Sequence, residues 1–407
     1  MKVISGGVTE AKGFSAADTA AGIKYKERTD MAMIYSKEPC VVSGCFTSNV
    51  VKAAPVIWDK NIVETSDFAQ AVVVNAGIAN ACTGEEGMSY CDKTADCTGE
   101  TLGIPKEAVL VASTGVIGMQ LPIDRICAGV KSLSEKLSDT TEAGHKAALA
   151  IMTTDTKEKE VAVTFEVNGK TVTVGGMCKG AGMIHPNMCT MLSFITTDAN
   201  ISKEMLDKAL KSDVKDTYNM ITVDGDTSTN DTLIVLANGL AENEKIDSEN
   251  DAFKDFCEAL HYVNETLAKK MAADGEGATK LFEAKVVNAK SKEDAKTLSR
   301  AIVSSNLSKA AIFGCDANFG RFLCAMGYSG AKFDQNDVEL FFESKNGKIK
   351  VFDKGNPVVF DEDEAVNIMK TDAVTVYVDM HEGDSKATAW GCDLTYDYVK
   401  INADYRS

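Results

Sequence analysis

Lys179-Gly180-Ala181-Gly182-Met183-Ile184-His185-Pro186-Asn187-Met188-Cys189-Thr190-Met191-Leu192 reads as a glycine-bearing loop that delivers a threonine to the start of a strand. Upstream, Val161–Val167 and Lys170–Val174 flank Asn168-Gly169, and Asn-Gly supplies the positive φ angles of a two-residue hairpin turn. Downstream, Met191-Leu-Ser-Phe-Ile-Thr-Thr197 is rich in apolar and β-branched residues and reads as a buried strand. The small Cys189 and the glycines let the Thr190 hydroxyl fold back onto the preceding carbonyl. Attack there, rearrangement to an ester and hydrolysis would leave residues 1–189 and 190–407. An N-terminal threonine carries its own base, because a free α-amine has a pKa of about 8 and can take the hydroxyl proton. On pattern alone, such a loop is more often an ordinary connection between strands, so the rest of the chain must decide.

With 407 residues, 44% of them hydrophobic, the chain is long enough for a substantial core. Neither a signal-peptide run at Met1–Gly7 nor an apolar stretch of membrane-spanning length is present, which predicts a soluble cytoplasmic protein. A net charge of −17 opposes binding to nucleic-acid phosphates. The 12 cysteines are scattered without a Cys-x-x-Cys pair and read as reduced, mostly buried thiols. No metal-ligand spacing or phosphate-binding glycine loop is present. Of the four histidines, His185 lies in the loop; as a base it would duplicate the Thr190 amine, so it reads as a loop-shaping residue.

No Gly/Ser-rich or Pro-rich linker divides the chain. Ala71–Val74 and Ala108–Ala112 read as short buried strands, the second ending on a Ser113-Thr114-Gly115 turn. Ser202 is placed to cap a helix with Met205, Leu206, Ala209 and Leu210 on its apolar stripe. Phe253, Phe256, Leu260, Val263, Leu267 and Met271 recur at helical spacing, and Asp274-Gly275 stops that helix, leaving Glu276 in a mobile loop. Leu281–Val287 and Val374–Asp379 read as strands and Glu293–Ser305 as a helix. This mixture predicts an α+β layered fold rather than a doubly wound parallel sheet.

Blocks spread along the chain resemble the glutamate N-acetyltransferase family of arginine biosynthesis, also called ornithine acetyltransferase. They include Gly6–Phe14, Asn75–Gly84, Ala112–Gly118, Ile151–Thr156, Asp224–Asp231, Asp274–Lys280, Asp316–Arg321 and Ile401–Ser407. Ile78 and Cys189 stand where the family commonly has asparagine and alanine.

The resemblance implies an α/β sandwich of the ornithine acetyltransferase type with a strand-borne N-terminal threonine, the 1–189 α chain and 190–407 β chain sharing one fold. It makes Thr190 the nucleophile, places the oxyanion hole on Thr114 and the Gly115 N–H, and assigns substrate contacts to Thr153, Lys179, Thr190, Glu276, Asn402 and Ser407. It implies a ping-pong transfer of the acetyl group from N-acetylornithine to glutamate, and a heterotetramer of two α and two β chains. Some members also acetylate glutamate from acetyl-CoA, which would be a co-substrate; no prosthetic group or metal is implied. The alternative is a self-processing threonine amidase or aminopeptidase that passes the acyl group to water. An acceptor pocket built from Lys179, Glu276, Asn402 and Ser407 separates the two readings.

Overall fold

The structure is a computed structural model that describes residues 1–185 and 191–404. Cys189, Thr190 and Ser407 lie outside the described residues.

The hairpin at Asn168-Gly169 forms as read: both residues have positive φ, 49° and 78°. Strand β6 (Lys159–Val167) turns there into β7 (Lys170–Lys179), closing on the pair Val167↔Lys170. Strand β8 (Leu192–Thr197) returns antiparallel to β7, with Leu192 opposite Lys179. Thus the residues on either side of 186–190 are neighbours in one sheet. That sheet also holds β1 (Lys2–Ile4), β2 (Phe14–Thr19), β3 (Met31–Phe46), β4 (Ala69–Ile78), β5 (Val109–Val116) and β9 (Thr232–Ala237). Its order is β1-β6-β7-β8-β9-β3-β4-β5, with β2 paired on β3. The pairs β8/β9 and β4/β5 are parallel and the others antiparallel.

A second, six-stranded sheet has the order β13-β12-β11-β14-β10-β15. It comprises β10 (Leu281–Ala289), β11 (Glu339–Ser344), β12 (Gly347–Asp353), β13 (Asn356–Pro357), β14 (Ala373–Asp379) and β15 (Ser385–Cys392). The helices are α1 (Ala54–Thr65), α2 (Glu85–Leu102), α3 (Ile123–Lys136), α4 (Thr141–Ala150), α5 (Lys203–Asp213) and α6 (Asp251–Ala273). They continue as α7 (Lys292–Ser304), α8 (Asn306–Gly314), α9 (Phe319–Gly327), α10 (Glu362–Met369) and α11 (Tyr396–Asp404). Two mixed sheets layered with helices make this an α+β fold, as the alternation of apolar patterns predicts.

Helix α6 joins the layers. Asn250 caps it by accepting the Phe253 N–H at 2.9 Å. Its stripe of Phe253, Phe256, Leu260, Val263, Leu267 and Met271 is buried. One side packs on β6 and β7, another on β10 and β15. Gly176 on β7 permits that approach: a Cβ there would sit 3.0 Å from Leu267 and 3.2 Å from Val263. A separate core with Phe14, Ile34, Val72, Leu110, Phe194 and Ile234 fills the space between the first sheet and α4.

No described helix is long and apolar enough to cross a membrane. No disulfide joins the described cysteines, and their burial is mixed: Cys40, Cys45, Cys91, Cys178 and Cys392 are buried, whereas Cys82 and Cys324 are exposed.

Candidate active site

Three strand ends converge: the C-terminal ends of β5 and β7, joined by Lys179 and Thr114, and the start of β8, where Leu192 pairs with Lys179. Thr114 and Gly115 do not form a turn beyond β5 but lie within it, since the strand continues to Val116. Pairing with β4 extends it: Ala76, Gly77 and Ile78 continue the parallel ladder alongside them. Gly115 has φ +129°, and a Cβ there would come within 2.2 Å of the Gly77 carbonyl carbon. Only glycine fits that backbone contact. Asn230 ties the region to the segment before β9, its amide donating to the carbonyls of Ala79 at 2.6 Å and Ser113 at 2.8 Å.

Lys179, the last residue of β7, reaches across to β5. Its ammonium donates to Thr153 Oγ1 at 2.7 Å and to Thr114 Oγ1 at 3.3 Å, and lies 3.6 Å from Asp155 Oδ2. A hydroxyl oxygen that accepts from lysine keeps its own O–H free to donate elsewhere. Lys179 therefore turns Thr114 into a donor available to a group in the cavity.

Behind Lys179 lies a buried ionic chain that pattern reading of the sequence did not single out. Asp155 accepts the Lys159 ammonium at 2.8 Å and the Gly180 N–H at 2.7 Å. Lys159, 1% exposed, also donates to Asp274 Oδ2 at 2.6 Å. Asp274 receives the backbone N–H groups of Thr156 and Lys157. Burial alone would raise the Asp155 carboxyl, but the Lys179 and Lys159 ammonium groups and these hydrogen bonds hold it well below the usual carboxylate range. The sequence signal was present, because Asp155 and Asp274 lie inside two of the blocks quoted above, but nothing local reveals their shared lysine.

Glu276 lies in a turn tied to the neighbouring loop, its N–H donating to the Ala181 carbonyl at 2.8 Å. Its carboxylate packs on Gly182, where an added Cβ would meet the Glu276 carboxyl carbon at 2.5 Å. On α11, Asn402 donates to Glu276 Oε2 at 2.8 Å and to the Tyr398 carbonyl at 3.0 Å. Helix α11 is therefore docked through Asn402 onto the Glu276 carboxylate.

These parts line one cavity of about 150 Å³, which includes Thr114, Gly115, Thr153, Lys179, Glu276 and Asn402. Every sequence-assigned site residue among the described ones is in it. A larger cleft of about 470 Å³ beside His185 gathers none of them. His185 shapes the loop as read: its Nδ1 lies 3.1 Å from Thr222 Oγ1 and its carbonyl accepts the Thr227 hydroxyl at 2.9 Å. Burial and the nearby Arg300 lower its pKa, so it holds little charge at neutral pH. Among the described residues, no group of three or more His, Cys, Asp or Glu is arranged to hold a metal ion.

The lining thus brings the Thr114 hydroxyl and the Lys179 ammonium together with the Glu276 carboxylate and the Asn402 amide around one cavity. That arrangement can hold a small zwitterion and stabilise an oxyanion, the requirements of acyl transfer between amino acids. A family model described as the ArgJ family matches residues 15–407. The chain is 51% identical over 407 residues to the arginine biosynthesis bifunctional protein ArgJ of Caldanaerobacter subterraneus subsp. tengcongensis, covering 100% of both. It is 52% identical to the protein of that description from Thermotoga neapolitana, covering 97% of this chain and 99% of the relative. Among solved structures, the Bacillus halodurans arginine biosynthesis bifunctional protein argJ is 46% identical, with TM-score 0.49, covering 52% of this chain and 97% of that one. The chain belongs to the ArgJ family.

Proposed function

We propose that this chain is a self-processing acetyltransferase of arginine biosynthesis that moves an acetyl group from N-acetylornithine to glutamate through an acetyl-Thr190 intermediate. Near-full-length similarity to proteins described as arginine biosynthesis bifunctional proteins supports the pathway. The observation that carries the chemistry is the Lys179 ammonium on Thr114 Oγ1, which leaves that hydroxyl free to donate in a cavity that Gly115 also lines.

Cleavage between Cys189 and Thr190 gives the β chain a free α-amine. The amine takes the hydroxyl proton as Oγ bonds to the acetyl carbon, and Thr114 and the Gly115 N–H stabilise the oxyanion. The C–N bond then breaks, the proton passes to the leaving nitrogen, and ornithine departs. Glutamate's α-amine attacks the ester carbonyl, the C–O bond breaks, and the threonine hydroxyl is restored with N-acetylglutamate as product. Lys179 and Thr153 bind the substrate carboxylate, Glu276 and Asn402 its amino group, and Ser407 completes the pocket. Glu276, Asn402 and Lys179 around one cavity support an amino-acid acceptor rather than water. The enzyme uses no prosthetic group; acetyl-CoA enters as a second acetyl donor. The α and β chains assemble as a heterotetramer of two of each in the cytoplasm.

The test is isotope exchange. Labelled ornithine should appear in N-acetylornithine without glutamate present, with one acetyl group gained by the 190–407 chain. Exchange that needs glutamate, or acetate release as the main reaction, would overturn the ping-pong reading.

A further inference from the structure

Lys159, the first residue of β6, is 1% exposed and lies behind the cavity rather than in its lining. Its ammonium has three N–H donors, and all are taken: by Asp155 Oδ1 at 2.8 Å, Asp274 Oδ2 at 2.6 Å and the Lys157 carbonyl at 3.1 Å. None is left for a ligand, so any part it plays in the reaction is exerted through another residue. Burial works against its charge, but Asp155 and Asp274 raise its pKa above the ordinary value, and it remains an ammonium.

The residue it acts through is Asp155, whose side chain is fully buried. Two lysines bear on this one carboxylate, and they are not equivalent. Lys159 sits at hydrogen-bond distance from Oδ1, which also accepts the Gly180 N–H at 2.7 Å. Lys179 stands 3.6 Å from Oδ2, which accepts the Thr153 N–H at 3.1 Å, and donates instead to the hydroxyls of Thr153 at 2.7 Å and Thr114 at 3.3 Å. A buried carboxylate left with a single ammonium draws it into direct contact. Pairing with Lys159 offsets the Asp155 charge and leaves Lys179 on the two hydroxyls. Lys159 is itself fixed by Asp274, which ends α6 and accepts the N–H groups of Thr156 and Lys157 and the Thr156 hydroxyl.

We infer that Lys159 is a positioning residue for the acetyl transfer: by occupying Asp155 it keeps the Lys179 ammonium on Thr114, so that the Thr114 hydroxyl presents its proton to the cavity. This rests on the reading above in which Thr114 stabilises the oxyanion.

The test is a double-mutant cycle of Lys159→Met and Thr114→Val, with kcat and KM taken per mature chain counted by intact mass and folding checked by circular dichroism. Lys159→Met frees Asp155 to pull Lys179 off Thr114, and kcat should fall about tenfold or more. In the Thr114→Val background the same substitution should change kcat by less than about threefold, because the hydroxyl it acts on is gone. KM should rise in both backgrounds, since Lys179 also holds the substrate carboxylate. Should the methionine variant not fold, Lys159→Gln keeps amide donors for the two carboxylates without the charge, and the same cycle applies to it. Equal losses of kcat in the two backgrounds, or a lowered Tm with kcat unchanged, would make Lys159 merely structural and overturn the inference. A Thr114→Val enzyme with wild-type kcat would instead remove the oxyanion reading itself, and this inference with it.

Discussion

Thr114 illustrates how one side chain acquires a task from its neighbours. Its oxygen accepts from Lys179, so its proton points to whatever occupies the cavity. Thr114→Val keeps the shape and removes the donor, and kcat should fall by about 10²–10³ with little change in KM. Steady-state kinetics check this, and a loss confined to KM would assign Thr114 to ground-state binding. Thr114, Gly115, Thr153, Lys179, Glu276 and Asn402 were legible from the resemblance, and all line one cavity. Gly115 has a local physical reason that sequence cannot show, because the Gly77 backbone that excludes a side chain is distant in the chain. The partnership of Asp155, Lys159 and Asp274 was equally hidden, since two of its members are 119 positions apart and meet only in the folded sheet.

Helices and the hairpin were read closely because their signals are local. Ser202 caps α5, accepting the Met205 N–H at 3.3 Å, and the stripe of α6 is buried along its length. Strands were read short where glycines interrupt the pattern. Strand β7 runs through Gly175 and Gly176 to Lys179, because Gly175 meets the Gly7 backbone and Gly176 lies under α6. Backbone close approach, unlike apolar periodicity, leaves no side-chain signature. Between α5 and α6, His261 Nδ1 lies 2.6 Å from Asp213 Oδ1, and Asn264 donates to Oδ2 at 2.7 Å. The Asp213 carboxylate raises the His261 pKa above its ordinary 6.5. Its stabilisation is therefore full below that ordinary value and disappears as pH rises through the raised one. The side chain is 46% exposed, so the gain over His261→Gln should be below about 1 kcal/mol. Denaturant unfolding of both proteins across this range checks it; a gap that widens with pH would refute the pairing. A deeper lesion is Lys159→Met, which strands two buried carboxylates and should cost about 3–5 kcal/mol. Thermal unfolding would show it, and an unchanged Tm would deny the ionic chain a structural role.

Across the whole molecule, the 189–190 junction does not divide the fold. Strands β1–β7 precede it and β8 and β9 follow it, yet β8 pairs with β7 and β9 with β3. Mature chains 1–189 and 190–407 should therefore copurify under native conditions and separate only in denaturant. The layered α+β architecture was legible from mixed apolar patterns, whereas the pairing of early β3 with late β9 was not, because register depends on surfaces far apart in sequence. The most direct measurement is intact mass with N-terminal sequencing of the purified protein and of Thr190→Ala. Self-processing requires two fragments in the first, the second beginning Thr190-Met191-Leu192, and a single chain without turnover in the second. An uncleaved wild-type chain that transfers acetyl groups at full rate would contradict it, because residue 190 would then have no free amine to act as base.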